Sequence, residues 1–483
     1  MSTSFGVHIG NTSACIAVSK EGKTDVVAND AGDRVTPAMV GFHDNEIIVG
    51  LAAKQGRIRN LANTITCNKR LIAGESITDS PVTIVQNDDV VKYQVDFQEK
   101  DFFISPQEVL THIYKYMHDI AASHCANVDE SNTVITVPLG FSEEQREIVK
   151  KSATAAGFRV VQVVNEPVAA CLAHGIEQYQ DRRYVLVYRV GGSTMTATVL
   201  LVSGGCYSIL DSSEIKTGGA AVTEVLVGYL GKEFMNKYKE DILCNRRGRV
   251  KLAVEAEKCK HVLSTLDTAH CYVESLYDGL DFSTNVTRAR FDNELSKVAV
   301  ELIAPISALL TKCNLTTADI NNLVLAGGTT KVVKIQKQLA SMFPGAEMSL
   351  NISPDECIAI GAAVQASLIT KDVTLSGAVK MLAVSRDILA ISPIFDGGKS
   401  VLVYQDTAIP LRKSIPVPLP ADTVEVCVKI VYSPDTELAE LKLAVEKQSK
   451  LYLGVHVHRD GSSHFTLTDK HTDKSTDALL KQH

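Results

Sequence analysis

The chain contains no tryptophan, and only 6% of its residues are aromatic. A stacking platform would have to use its few phenylalanines and tyrosines. Its 11 cysteines include no CxxC pair. An odd number at irregular spacing argues against a disulfide frame and against structural zinc, and predicts reduced thiols. No run reaches the roughly 18 apolar residues that a membrane helix needs, so no membrane partner is expected. Residues 1–6 show no basic stretch leading into an apolar core, so no secretory signal is visible and a cytosolic location is expected. Lys and Arg number 49 against 56 Asp and Glu, a formal charge of −7. That balance makes general phosphate-backbone binding and sequence-specific nucleic-acid recognition unlikely partners for the chain as a whole, while leaving room for a local basic patch.

What is present is an ordinary globular composition. Of 483 residues, 45% are apolar and 22% charged. That length predicts about three domains or sub-lobes. Two segments share one pattern. Phe5 to Val18 and Val185 to Leu200 each read as an apolar strand, a tip of glycine and small polar residues, and a second apolar strand. Both predict hairpins, and their separation predicts two related lobes. Strands and helices alternate after each. Ser105-Pro106-Gln107-Glu108 predicts a capped helix running to about His124, and Ser142 to Gln145 caps a second that Gly157 ends. A strand over 133–137 stops at Pro138, and a buried strand over 158–164 leads into Asn165-Glu166-Pro167 and a helix. Leu323 to Ala326 predicts a strand entering Gly327-Gly328, and Ser353 to Glu356 predicts a cap for a helix whose Gly361, Ala362 and Ala363 permit close packing. This alternation gives an α/β body to about residue 371. Past about 385, short β runs separated by turns predict a small all-β domain, with 372–384 as linker. Arg246-Arg247-Gly248-Arg249 reads as a solvated basic turn.

Glycine-rich tips expose backbone N–H groups that can cradle anionic oxygens. Two such tips facing each other would hold a polyphosphate from both sides, and Gly327-Gly328 adds a third anion-friendly or nucleoside-contacting turn. These segments resemble the 70-kDa heat-shock chaperone family, which is built on the actin-like ATPase fold. Ala28 to Pro37 resembles the family's segment after its first hairpin. Ser275-Leu276-Tyr277-Asp278-Gly279-Leu280-Asp281-Phe282 with Arg288-Ala289-Arg290-Phe291 is nearly diagnostic. Asn165 to Ala170 and Gly361 to Ala366 also match. In the tail, Thr407-Ala408-Ile409-Pro410 and the Asp460-Gly461 hairpin are similar to the family's peptide-binding β-domain.

The resemblance implies a two-lobe nucleotide-binding domain over 1–371, with lobe I at about 1–180 plus 356–371 and lobe II at about 181–355. A lidless, truncated β-sandwich-like substrate-binding domain would follow over 385–483, because the chain stops at His483 just after the last hairpin. It also implies ATP as cofactor. Thr12, Ser13, Gly191, Gly192 and Thr194 would touch phosphates, and Lys69 would reach the γ-phosphate. Glu166 falls at a carboxylate that helps organise metal and water. Glu257, Lys260, Ser264, Gly327, Gly328, Lys331 and Asp355 would hold the adenosine.

The departures carry as much information. The chain has His8, Arg189 and Thr196 where the family carries aspartates, and Ser193 where it carries glycine. Magnesium prefers oxygen ligands, and neutral imidazole is a poor substitute. Arg189 is always charged and cannot serve as a base. It would repel a divalent cation and attract a phosphate, so it joins the cofactor-binding set. No metal ligand is assigned, and magnesium is expected to be dispensable. Lys69 and Glu166 are then vestiges of a catalytic site, and hydrolysis is expected to be weak or absent. Lys331 stands where the family has an arginine that can lie flat on adenine, a loss of planar stacking. The linker region holds Lys380-Met381-Leu382-Ala383-Val384 in place of the family's leucine run.

Loss of the acidic residues and the lid resembles the atypical branch whose fungal counterpart sits in the ribosome-associated complex. That branch implies an ATP-bound co-chaperone subunit in a stable heterodimer with a zuotin-type J-domain protein, acting at the ribosome on nascent polypeptides. An active ATP-driven folding chaperone and an ATP-independent peptide-binding module in the β-tail are the alternatives.

Overall fold

The computed structural model describes residues 3–373 except 78–79, 88–89, 177–180 and 204–205. Beyond 390 it describes 391–395, 398–399, 411–417, 425–432, 436–446, 449–457, 463–472 and 474–480. Most of the expected linker, 374–384, lies outside the described residues, as do the β run 400–404, Thr407 to Pro410 and the Asp460-Gly461 turn. Residues 372 and 373 end the helix Cys357–Val373.

Two sheets repeat one plan. In the first, the strands run in the order Arg159–Asn165, Asn132–Val137, Ser4–Ile9, Ser13–Lys20 and Lys23–Val26. In the second, the order is Cys206–Ile215, Met195–Ser203, Arg183–Val190, Ile320–Ala326 and Glu347–Ser349. The two anticipated hairpins are the heart of these sheets. Ser4 pairs with Ser19 and Ile9 with Ala14 in one, and Arg183 with Val202 and Val190 with Met195 in the other. Each first strand then gains a parallel neighbour, Asn132–Val137 in the first sheet and Ile320–Ala326 in the second. Both hairpin tips therefore point to the same end of their sheets as the carboxyl ends of those parallel strands, where open α/β sheets bind ligands.

The helices form where capping chemistry places them. Ser105 and Glu108 make a full capping box with Pro106 in the first turn, and the helix runs Pro106–His124. Ser142 and Gln145 do the same for Glu143–Ala155, and Gly157 leaves it with φ 104°. Two expectations need correction. Arg246-Arg247-Gly248-Arg249 is not a turn but the first turn of the helix Arg246–Leu263, capped by Asn245. A Cβ on Gly248 would come 2.3 Å from Ile242 Cδ1, so this packing pulls the segment into the helix. The Ser353 hydroxyl donates to the Asp355 carboxylate at 2.7 Å, and the helix starts only at Cys357.

Each sheet carries its own core, and a third core joins them. Helices Glu166–Ala173 and Cys357–Val373 cross between the sheets and bury Val168, Cys171, Ala362 and Ala366. Val134 of the first sheet and Val185, Val187 and Val324 of the second complete that cluster. The crossing is tight. A Cβ on Gly361 would fall 1.7 Å from the Ala169 carbonyl oxygen, and one on Gly6 would fall 2.1 Å from the Ala363 nitrogen. The last helix is thereby fixed to both the first strand and the other crossing helix.

The β-rich tail forms two four-stranded sheets that share one core, including Val428, Leu441, Leu453, Val455, Phe465 and Leu467. Asp469 is fully buried there and accepts hydrogen bonds from the Ser449 and Thr472 hydroxyls and the backbone N–H groups of Lys450 and His471.

Gly361→Ala is expected to destabilise the body by about 3 kcal/mol or more, because backbone must separate to admit the methyl group. Gly228→Ala, in a helix with nothing within 4 Å of the added atom, is expected to raise stability by about 0.5–1 kcal/mol. Urea titrations of the full chain check both signs.

Candidate nucleotide site

The two hairpin tips meet. Asn11 Nδ2 donates to Ser193 Oγ at 2.7 Å, joining the first tip to the second. A Cβ on Gly192 would sit 2.3 Å from Thr12 Cγ2, so only glycine lets the tips approach this closely. Each tip is closed by its own backbone: Gly10 N–H donates to the Ser13 carbonyl, and Gly191 N–H to the Thr194 carbonyl. Thr12, Ser13, Gly191, Gly192 and Thr194 are thus brought together.

Beneath the tips lies a buried charged cluster. His8, Lys69 and Glu166 are 7%, 7% and 3% exposed, too little for water to compensate their charges. Lys69 Nζ donates at 2.7 Å to both the Ile9 carbonyl and Glu166 Oε1. Arg189 Nε lies 3.1 Å from Glu166 Oε2. That approach is close but misaligned, and among the described residues Arg189 Nε has no hydrogen-bond acceptor. The guanidinium lies against both tips: a Cβ would stand 3.9 Å from its Nη2 on Gly10 and 3.6 Å from its Nη1 on Gly191. His8 Nδ1 is 2.8 Å from Thr136 Oγ1.

Burial pushes the His8 ring down to about 3, helped by Lys69 and Arg189 and opposed by Glu166. The imidazole is therefore neutral at pH 7. Burial alone would raise Glu166, but Arg189, Lys69 and His8 outweigh it and hold the carboxyl at about 2. Burial lowers Lys69, with Glu166 opposing. Two cationic side chains therefore share one carboxylate, and the cluster carries a surplus positive charge in a low-dielectric setting. An incoming anion is the natural complement.

The other wall is internally neutral. Lys260 Nζ donates to Glu257 Oε2 at 2.6 Å, Thr223 Oγ1 at 3.0 Å and the Gly219 carbonyl at 3.3 Å. Glu257 also accepts from the Thr223 hydroxyl and lies 3.1 Å from His261 Nε2. Burial opposes ionisation of Glu257, but these partners hold its carboxyl well below the usual range. The Ser264 hydroxyl donates to the Lys260 carbonyl of its own helix at 3.0 Å. Lys331 Nζ donates to Asp355 Oδ2 at 2.8 Å. Gly327, with φ 80°, lies against Val190: an added Cβ would be 2.4 Å from that carbonyl. The turn after Gly327 is a 3-10 segment, Gly328–Lys331, so the helix Val333–Met342 does not start at the glycines. Thr329 Oγ1 donates to the Gly191 carbonyl at 3.2 Å, tying this turn to the second tip.

Sequence reasoning missed several participants. Thr136 positions His8, while Thr223 and His261 complete the Glu257 network. Lys216 Nζ, just past the strand Cys206–Ile215, reaches Glu75 at 3.5 Å, and Arg70 holds the same carboxylate at 3.0 Å. Only Asn11, a tip amide between Gly10 and Thr12, carried a local signal.

The residues fit a polyphosphate. They offer glycine tips, two buried cations and the orphaned donor Arg189 Nε. They do not fit magnesium. At the metal's place in the resembled fold stand a neutral imidazole and a guanidinium, neither an oxygen ligand. Among the described residues, no group of three or more His, Cys, Asp or Glu is placed to hold a metal.

The His8 shift gives a pH signature. Its folded pKa lies below the unfolded value of 6.5, so its contribution is full above 6.5 and is lost as pH falls toward about 3. Glu166 acts in the same direction between 4.5 and about 2. The melting temperature is therefore expected to drop on acidification from pH 6.5, and His8→Asn to flatten that slope between 6.5 and 4.5. Thermal melts at stepped pH check it; parallel slopes would remove His8 as the cause.

The family model "Hsp70 protein" matches residues 4–442. Heat shock 70 kDa protein 14 of Xenopus tropicalis is 39% identical over 497 residues, covering 98% of each chain. The proteins of the same name from Danio rerio and Homo sapiens are 38% and 37% identical, with 97% or more of each chain covered. Two repeated sheets, crossing helices and a β-rich tail are in keeping with actin-like ATPase lobes followed by a β domain. The chain belongs to the Hsp70 family of nucleotide-binding chaperones.

Proposed function

We propose that this chain is an ATP-binding, essentially non-hydrolysing Hsp70 that works as a co-chaperone subunit. The observation that carries this reading is the pairing of Arg189 and Lys69 with the single carboxylate of Glu166. Arg189 supplies, as a fixed guanidinium against both tips, the positive charge that a phosphate chain requires. It takes the place of an acidic group, and with Lys69 it occupies both oxygens of Glu166, the carboxylate in this cluster. Magnesium is accordingly dispensable for binding.

The same arrangement disables cleavage. Hydrolysis needs an attacking water and a group to orient it or take its proton. Glu166 is held as a carboxylate between two cations, and accepting a proton would break both contacts. His8 is neutral and engaged by Thr136. Loss of a base or of water positioning costs about 10²–10⁴-fold each. ATP then serves as a structural ligand joining two lobes, stabilising the closed body by about 2.7 kcal/mol at 100-fold excess over Kd.

A lobe pair held closed by unspent nucleotide suits a scaffold. The resemblance to the ribosome-associated branch and the shared length with proteins named Heat shock 70 kDa protein 14 support a cytosolic role with a zuotin-type J-domain partner, at the ribosome, on nascent polypeptides.

Calorimetry in EDTA is expected to show ATP binding comparable to that with magnesium, and phosphate release is expected to stay at solution background. Steady release abolished by Lys69→Ala would overturn the reading. Arg189→Asp is expected to weaken binding in EDTA by about 10–100-fold, the worth of one charge-assisted contact, with magnesium restoring part of it. Gel filtration of the full chain with a purified zuotin-type protein is expected to give one heterodimer peak; two separate peaks would remove the partner assignment.

A further inference from the structure

The two walls of the cleft differ in what they leave available. On the phosphate side, two cations face one carboxylate, and the donor Arg189 Nε is buried without a hydrogen-bond partner among the described residues. On the opposite wall the charged side chains are already matched. Lys260 has three acceptors in Glu257, Thr223 and the Gly219 carbonyl. Glu257 is shared among Lys260, Thr223 and His261. The Ser264 hydroxyl is turned onto its own helix. Lys331 is paired with Asp355, whose other oxygen accepts from Ser353.

Discrimination between bases rests on polar groups that a wrong base would leave unpaired in a buried site. Groups satisfied by the protein itself supply little of this, because they lose no partner when the base changes. Lys331 also offers no plane to stack on a ring, unlike a guanidinium, and its ammonium is drawn to Asp355. Attraction on the phosphate side is a different matter. It acts on charge and is indifferent to the base.

We propose that this cleft selects its ligand by polyphosphate charge and not by base, so that nucleoside triphosphates of other bases and inorganic tripolyphosphate bind where ATP binds. This deepens the nucleotide-binding reading above and rests on it. The ligand class is a polyanion of three linked phosphates, with the nucleoside adding mainly apolar and backbone contact.

The test is calorimetric titration of the full chain in EDTA with ATP, GTP and sodium tripolyphosphate. The dissociation constants of ATP and GTP are expected to agree within about tenfold, a difference of only about 1.4 kcal/mol. Tripolyphosphate is expected to displace ATP competitively. Arg189→Ala is expected to weaken all three by similar factors, and Arg189→Lys to restore most of the loss. Melting curves without ligand confirm that both variants fold, since Lys69 still neutralises Glu166 in each. Tight ATP binding with GTP more than about 100-fold weaker would overturn this inference alone, because that gap requires base-specific contacts. If none of the three titrates, the nucleotide-binding reading falls with it.

Discussion

One buried carboxylate shared by a buried lysine and a largely buried arginine organises this molecule. Glu166 opens one crossing helix, Lys69 comes from the first lobe, and Arg189 comes from the hairpin of the second. A buried charge left unpaired is strongly destabilising, so Lys69 and Glu166 depend on each other, while Arg189 adds a second cation to a carboxylate already paired. The contact also spans the lobes, because Glu166 and Arg189 belong to opposite sides of the cleft. The tip geometry follows from it: the guanidinium that reaches Glu166 is the group lying against Gly10 and Gly191.

The crossing of the two central helices gives that cluster its rigidity. Gly361 on Ala169 and Gly6 on the last helix are backbone-to-backbone approaches, which leave little room for sliding. Interiors packed this closely transmit displacement and do not absorb it. The Lys216–Glu75 and Asn11–Ser193 contacts then close the cleft from the rim and from the tips. The nucleotide is therefore expected to meet a cleft already drawn together by the protein's own side chains. This differs from a site that a ligand assembles; a ligand that binds this closed form adds to its stability by mass action.

Much of the fold was legible in the sequence because its signals are local. The hairpins at Phe5 and Val185 announce themselves by apolar alternation around small polar tips. The capping boxes at Ser105 and Ser142 fix their helices within one turn. The basic stretch at Arg246 misled for the same reason: its composition suggests a solvated turn, whereas packing of Gly248 on Ile242 and capping by Asn245 make it helical. At Ser353 the backbone carbonyl, not the hydroxyl, accepts from the N–H groups of Glu356 and Cys357, while the hydroxyl donates to Asp355.

The candidate site divides along the same line. From sequence alone come the identities that matter most: an arginine and a histidine in place of acids, glycines at the tips, and a lysine in place of a planar cation. Residue type sets charge and donor capacity before any folding occurs. Only the tertiary structure decided how these groups pair. That Arg189 meets Glu166, that Ser264 donates to the Lys260 carbonyl of its own helix, that Lys331 is tied to Asp355 and that Asn11 touches Ser193 are contacts between segments distant in the chain or choices among competing partners. Local sequence carries no term for such pairings, because their energies depend on burial and distance, and those exist only once the two lobes have closed on each other.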